Sequence, residues 1–229
     1  MKKKKVLVVD IGGTHVKLMV SRRDERQFDS GPKLSPRQLI GKIKRAAADW
    51  SYDVVSVGFP APVRNGCIEK EPKHLAKGWV GYDLNKSLGK PTRVMNDAAM
   101  QALGSYRGGR MLFLGLGTGL GSTLVWQRNV LSLELGDLPY QGGIIEKVLG
   151  KPGFDRLGKS AWEREVFFCI AHLKLSFIAD YVMLGGGLVK VLSRLPPGTE
   201  LGDNRNAYLG GIRMWETTAR AGRPKWNLI

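Results

Sequence analysis

Short apolar runs that end on glycine or aspartate recur along the chain, and they predict buried strands more often than long helices. Residues 6–10 form such a run, turned by Gly12-Gly13. Residues 15–21 alternate apolar and polar positions, which predicts the returning arm of a hairpin, and 26–30 predict a third, weaker strand. Ser35-Pro36 pairs an N-cap residue with proline at the first helical position, so a helix is expected to about residue 50. Residues 54–59 read as another buried strand. The stretch 60–92 is rich in Pro, Gly and Lys and reads as loops with one short helix at 84–88. A strand at 92–95 and a helix at 98–106 close this section.

The order then begins again. Arg107-Gly108-Gly109 is a candidate hinge. Residues 111–116 predict a strand, 117–121 a glycine turn, 122–126 a returning strand and 130–135 a third. Residues 137–158 are expected to be loop-rich and 161–179 to form the longest helix. A strand at 181–184 runs into Gly185-Gly186-Gly187, and 207–221 is a closing helix. Such an order, twice over, predicts two related α/β domains, 1–107 and 108–229. The last helix is placed where it can pack back on the first. Identity between the halves is too low to prove a repeat.

Composition narrows this picture. A chain of 229 residues with 43% hydrophobic content can bury a real core, and neither disorder nor a collagen-like period fits it. Its 30 glycines must therefore sit at turns and ligand loops. Cys67 and Cys169 are too few and too far apart for a metal cluster or a disulfide framework. No apolar run approaches a membrane span, and the basic start at Lys2, Lys3, Lys4 and Lys5 is followed by too short an apolar stretch for a signal peptide. A soluble cytoplasmic protein is expected. The net charge of +16 calls for an anionic partner or serves solubility alone. Residues 1–107 carry net +11 and residues 108–229 net +5.

Five places carry chemistry. Asp10-Ile11-Gly12-Gly13-Thr14 follows a strand directly, so its amides can approach a phosphate, Thr14 adds a hydroxyl, and Asp10 can hold Mg²⁺ through water. Lys17, on the returning strand, is grouped with this donor side. The motif alone is equally an ordinary hairpin turn. Gly115-Leu116-Gly117-Thr118-Gly119-Leu120-Gly121 is a second glycine turn between strands, which weakens packing unless a ligand needs close approach. It lacks the ending of a P-loop, and a strand rather than a helix follows it. Asn96-Asp97 sits where a strand meets a helix: Asp97 can take a proton from an attacking hydroxyl, or it merely caps the helix. Glu134 and Asp137 either grip sugar hydroxyls or are surface charges. Gly185-Gly186-Gly187 passes beneath a nucleobase or is a tight turn. His15, His74 and His172 read as surface or packing residues, and the six tryptophans as packing.

In order and spacing these elements resemble the ROK family of sugar kinases and regulators. The matching segments are Val9-Asp10-Ile11-Gly12-Gly13-Thr14, Phe59-Pro60-Ala61-Pro62, Met95-Asn96-Asp97-Ala98, Gly117-Thr118-Gly119-Leu120-Gly121, Leu133-Glu134-Leu135-Gly136 and Leu184-Gly185-Gly186-Gly187. Within the family the chain is most similar to the polyphosphate glucokinases, through 134–140, Arg156-Leu157-Gly158-Lys159 and 201–207, which includes Asn204. The resemblance implies a two-lobed actin-like ATPase (ribonuclease H-like) fold, each lobe a mixed sheet flanked by helices, with the active site in the cleft. It implies phosphoryl transfer from polyphosphate or ATP, with Mg²⁺ and no zinc, to a hexose, foremost glucose to glucose 6-phosphate. Asp97 is then the catalytic base, Asn96, Glu134 and Asp137 face the sugar, Asp10, Gly12, Gly13, Thr14, Lys17, Gly117, Thr118, Gly119 and Gly121 face the phosphates, and Gly185, Gly186 and Gly187 form the donor-side turn. A homodimer without specific nucleic-acid or membrane partners is implied too.

Two departures from the pattern stand out. Asp137 replaces a histidine that many relatives carry, putting an acceptor-only group where an imidazole can do both. The cysteine-rich zinc loop of many relatives is also missing, as it is in the polyphosphate glucokinases. Glu146 lies where a further sugar-contacting glutamate falls, or is a solvated loop residue. Lys70, Lys73, Lys77, Lys86, Lys90 and Arg93 form a basic stretch that suits a polyanionic donor, or is a solvated face. The competing readings are a non-catalytic sugar-binding or regulatory protein and an ATP-dependent kinase of another hexose.

Overall fold

The computed structural model describes residues 4–203, 205–218 and 222–229. Lys2, Lys3, Asn204 and the end of the expected closing helix at 219–221 lie outside the described residues. The first section holds strands β1 (Val6–Ile11), β2 (His15–Met19), β3 (Glu25–Asp29) and β4 (Val54–Phe59), a small ribbon of β5 (Val63–Arg64) and β6 (Cys67–Ile68), and β7 (Thr92–Asn96). Its helices are α1 (Pro36–Ala46), α2 (Leu84–Leu88) and α3 (Asp97–Ser105). The second section holds β8 (Met111–Leu116), β9 (Leu120–Trp126), β10 (Asn129–Leu133), a ribbon of β11 (Pro139–Tyr140) and β12 (Gly143–Ile144), β13 (Tyr181–Gly185), β14 (Thr199–Leu201) and β15 (Asn227–Leu228). Helices α4 (Glu146–Leu149), α5 (Lys151–Leu157), α6 (Lys159–Ser176) and α7 (Asn206–Arg213) accompany them.

Two sheets follow one plan. The first has the order β3-β2-β1-β4-β7 and the second β10-β9-β8-β13-β14, with β15 added beside β10. In each, an antiparallel meander is continued by two parallel strands. β4 is buried at every position, as a central parallel strand covered on both faces must be, while β3 alternates exposed and half-buried residues as an edge. α1 starts at a full capping box, with the Ser35 hydroxyl accepting from the Gln38 amide and the Gln38 side chain accepting from the Ser35 amide.

Helices α3 and α7 lie between the sheets. α3 packs on β4 of the first sheet and β9 of the second, and α7 packs on β1 and β4 of the first sheet and along α3. Their backbones touch where glycine faces backbone. A Cβ on Gly104 would fall 1.8 Å from the Asn206 carbonyl oxygen, and one on Gly210 would fall 1.8 Å from that of Met100. Any side chain at either position would force the helices apart. One apolar cluster accordingly joins Val8 and Val54 of the first sheet, Ala99 and Leu103 of α3, Ala207 of α7 and Phe113 of the second sheet. The outer faces are covered by α1 and α2 on one side and α4 to α6 on the other.

Two expectations are corrected. Residues 137–158 are not loop-rich: the ribbon, α4 and α5 occupy them, anchored by buried Ile145, Val148 and Leu149, with Pro152 accommodated in the first turn of α5. The closing helix ends at Arg213 rather than 221. Arg93 takes the Met214 carbonyl, and the Trp215 indole N–H donates to the Ser56 hydroxyl at 2.9 Å, so the chain is drawn onto the first sheet. Among the described residues no helix is long and apolar enough to cross a membrane.

Candidate active site

Both glycine turns open onto one cavity of about 330 Å³ between the sheets. The first turn joins β1 to β2. Its Gly12 amide donates to the His15 carbonyl at 2.9 Å, and the Ser30 hydroxyl donates to the Gly12 carbonyl at 2.7 Å. Gly13 lines the cavity, whereas Asp10, Gly12, Thr14 and Lys17 are not among its lining residues. Lys17 faces Glu25 at 3.6 Å and stands opposite Asp10 in the β1–β2 register. The second turn supplies Gly117, Thr118, Gly119 and Gly121 directly. It is closed by Gly117 N–H donating to the Gly119 carbonyl, and Lys151 N–H of α5 donates to the Gly117 carbonyl at 2.8 Å. Gly186 also lines the cavity; Gly185 and Gly187 do not.

Asn96 and Asp97 stand at the junction of β7 and α3. The cap is Asn96, whose side chain accepts from the Ala99 amide at 3.1 Å. Asp97 is thus not the helix cap. It is the first helical residue, accepts from the Ala98 amide at 2.8 Å and turns toward the cavity. Gly58 separates it from Asp10: a methyl there would lie 3.4 Å from Asp10 Oδ1 and 3.3 Å from Asp97 Cα. Burial raises the Asp97 carboxyl to about 7, the nearby Asp10 charge adds to the rise, and the Ala98 amide works against it. Burial likewise raises Asp10 to about 6, with Lys17 opposing. A carboxyl poised near neutrality is what a general base at physiological pH needs.

The opposite wall belongs to the second section. Glu134 follows β10, and its backbone is held by Ser122, whose hydroxyl donates to the Leu133 carbonyl and accepts from the Leu135 amide. Burial raises the Glu134 carboxyl, the Asp137 charge adds to this, and Lys73 and Lys70 oppose it. Glu134, Asp137 and Glu146 all line the cavity. Glu146 begins α4 and is mostly buried; its carboxylate lies where a Cβ on Gly119 would be, so it rests on the second glycine turn.

Among the lining residues, His74 and Gln101 have no place in the site by sequence, and Lys73 has one only as part of the basic stretch. His74 lies against Gly13, 3.4 Å from the position of a Cβ there. Gln101 is one helical turn beyond Asp97. Lys73 reaches across from the first section to Glu146 at 3.1 Å and Asp137 at 3.7 Å. The loop carrying Lys73 and His74 is shaped by Glu71, whose carboxylate accepts from the amides of Gly78, Trp79 and Val80. No periodicity marks such a loop; the signal available was Glu71 seven residues before the Gly78-Trp79 pair.

The basic stretch of 70–93 is split. Lys70 and Lys73 line the cavity, whereas Lys90 and Arg93 line a separate groove with Trp215. Among the described residues no group of three or more His, Cys, Asp or Glu side chains is placed to hold a metal. A single carboxylate such as Asp10 is compatible with Mg²⁺, which completes its shell with water and substrate phosphates.

This layout can be set against solved structures. The polyphosphate/ATP-glucomannokinase of Arthrobacter sp. strain KM superposes with a TM-score of 0.78 at 22% identity, covering 90% of this chain and 96% of that one. A ROK family glucokinase of Streptomyces griseus in complex with glucose and AMPPNP gives 0.70 at 15%, covering 90% and 97%. The chain has the fold of the ROK sugar kinases. That is the actin-like ATPase fold, and the match to the ROK structures runs through both sheets. In sequence, the bifunctional enzyme NanE/NanK of Brucella melitensis is 28% identical over 167 residues, 66% of this chain. The chain spans about a third of the length of that curated relative. No family model matches the chain.

Proposed function

We propose that this protein is a hexose kinase of the ROK type, moving a phosphoryl group from polyphosphate or ATP to a sugar hydroxyl, foremost glucose to glucose 6-phosphate. The observation that carries the reading is a single cavity that joins a near-neutral buried carboxyl, Asp97, to two glycine turns on one side and to Asn96 and Glu134 on the other. Fold alone would not license it, since one fold hosts many functions.

The chemistry follows from the residues. The sugar hydroxyl oxygen attacks the terminal phosphorus of the donor as its proton passes to the Asp97 carboxylate. The phosphoanhydride P–O bond breaks, and the shortened donor leaves with the electron pair. Such transfer is mainly positioning and charge neutralisation. Glu134 and Asn96 orient the sugar, and Gly13, Thr118 and Gly119, whose amides are not spent within the turns, face the transferring group. Mg²⁺, held at Asp10 through water with the donor phosphates, would supply further neutralisation.

Purified protein with Mg²⁺ is tested on a panel of hexoses crossed with ATP and polyphosphate, with Asp97→Asn as control. Sugar phosphate from at least one pair, lost in Asp97→Asn, is expected. No product from any pair would sink the kinase reading, and product surviving the substitution would sink the role of Asp97.

A further inference from the structure

The sugar side of the cavity is unevenly equipped. Glu134, Asp137 and Glu146 all come from the second section, and ionised carboxylates only accept hydrogen bonds. A sugar hydroxyl offers one proton and two lone pairs, so a wall of carboxylates leaves hydroxyl oxygens without donors. Asn96 is one donor, and its amide is spent loosely on the Ala61 carbonyl at 3.4 Å. Two charged donors line the cavity near that wall, Lys70 and Lys73, and of these the Lys73 ammonium already stands between Glu146 and Asp137.

Lys73 is not a chance surface contact. It comes from the opposite side of the cleft, on a loop whose path Glu71 fixes by binding three successive amides. The next residue, His74, rests on the first glycine turn. Burial works to lower the Lys73 ammonium, but its bond to Glu146 and the charges of Asp137 and Glu134 raise it, so it stays charged.

Resting on the kinase reading above, we propose that Lys73 is a substrate-contacting specificity residue, which donates to hexose hydroxyls alongside Asp137 and Glu146 and rejects amino-hexoses by occupying the place their ammonium would take. Discrimination of this kind needs a repulsive element as well as an attractive one. Lys73 is both: a donor to a neutral sugar and a like charge to a cationic one. Glu71 is the positioning residue behind it.

The test uses the full chain and its Lys73→Met and Lys73→Arg variants. KM and kcat for glucose, mannose and their 2-, 3- and 4-amino analogues are measured, together with dissociation constants by calorimetry. Lys73→Met should raise KM and Kd for the neutral hexoses about tenfold with little change in donor KM. The preference for neutral over amino sugar should fall at least tenfold for one of the analogues, because Asp137 and Glu146 are then unpaired. Lys73→Arg should keep most of the preference. An unchanged neutral-sugar Kd, or an unchanged preference in Lys73→Met, would overturn the proposal, as would a variant that merely melts earlier. The calorimetry reads Lys73 even if no turnover is found, so loss of the kinase reading and loss of this one are distinct results. A wild-type chain that binds no hexose would remove both.

Discussion

Replacing Asp97 with asparagine should make the protein more stable at pH 8 while abolishing its chemistry. The folded carboxyl titrates near 7, against 3.8 for the free group. Its folded value is raised, so between those values the folded state binds more protons than the unfolded state. Stability from this group is therefore greatest at low pH and falls as pH rises toward 7. At about 1.4 kcal/mol for each pH unit within that window, Asp97 costs the folded protein roughly 2 to 3 kcal/mol on going from pH 5 to pH 8. That figure is an upper bound, because the carboxyl faces a cavity that admits water. An asparagine keeps the shape and the acceptor for the Ala98 amide and has nothing to ionise. In a chain of this size about 1 kcal/mol moves Tm by roughly 2 to 4 °C. Thermal unfolding followed by circular dichroism at pH 5 and pH 8 should thus show the asparagine variant gaining several degrees on the wild type at pH 8 relative to pH 5. Phosphoryl transfer should fall by about 10² to 10⁴ at pH 8, and by less at pH 5 where the wild-type carboxyl is itself protonated. Parallel pH dependence of Tm in the two proteins would refute the assignment of a buried, near-neutral carboxyl.

Two further outcomes follow from the same structure. The kcat/KM for sugar should fall about tenfold per pH unit below about 7 and level off above it, since Asp97 must be ionised to accept the proton; a profile flat down to pH 5 would contradict this. Gly210→Ala should destabilise by about 3 kcal/mol, because its methyl has no space against the Met100 carbonyl, whereas Gly41→Ala on the open face of α1 should stabilise by up to about 1 kcal/mol; equal denaturant midpoints would refute the packing argument.

The local part of the site was legible in the chain. Each glycine turn follows a strand whose apolar run ends at the turn, and Asn96-Asp97 lies at a strand-to-helix junction, so sequence neighbours alone place them. What was not legible depends on residues distant in sequence. Glu146 enters the site because α4 docks on the second glycine turn, inside a stretch whose glycines and prolines suggested loop. His74 looked like a packing residue because nothing near it in sequence points to Gly13. Lys73 lies 73 residues from the carboxylate it meets, and Asp137 reads as a lone departure until Lys73 is seen facing it. The end of α7 is hidden from sequence for the same reason: the chain beyond it is drawn away by Ser56 and Arg93, more than a hundred residues earlier.

Charge placement bears on donor choice more than total charge does. Of the six cations between Lys70 and Arg93, Lys73 is opposed by two carboxylates, and Arg93 is stacked on Trp215 with its guanidinium committed to a carbonyl. The less compensated part of the first half lies elsewhere. Lys33, Arg37, Lys42 and Arg45 line a groove along α1 whose one lining carboxylate among the described residues, Asp29, already faces His15 at 3.2 Å. Ser30 in that groove is bonded to Gly12 of the first glycine turn, and the next residue, Gly13, lines the cavity. Attraction between exposed charges is screened over about 8 Å at physiological salt. A donor that ends within the cavity therefore gains little from the groove. A linear polyanion that continues past the turn gains from each cation it passes. Under the proposed kinase function, the basic excess of the first half would favour polyphosphate over ATP through the part of the polyanion that lies outside the cavity.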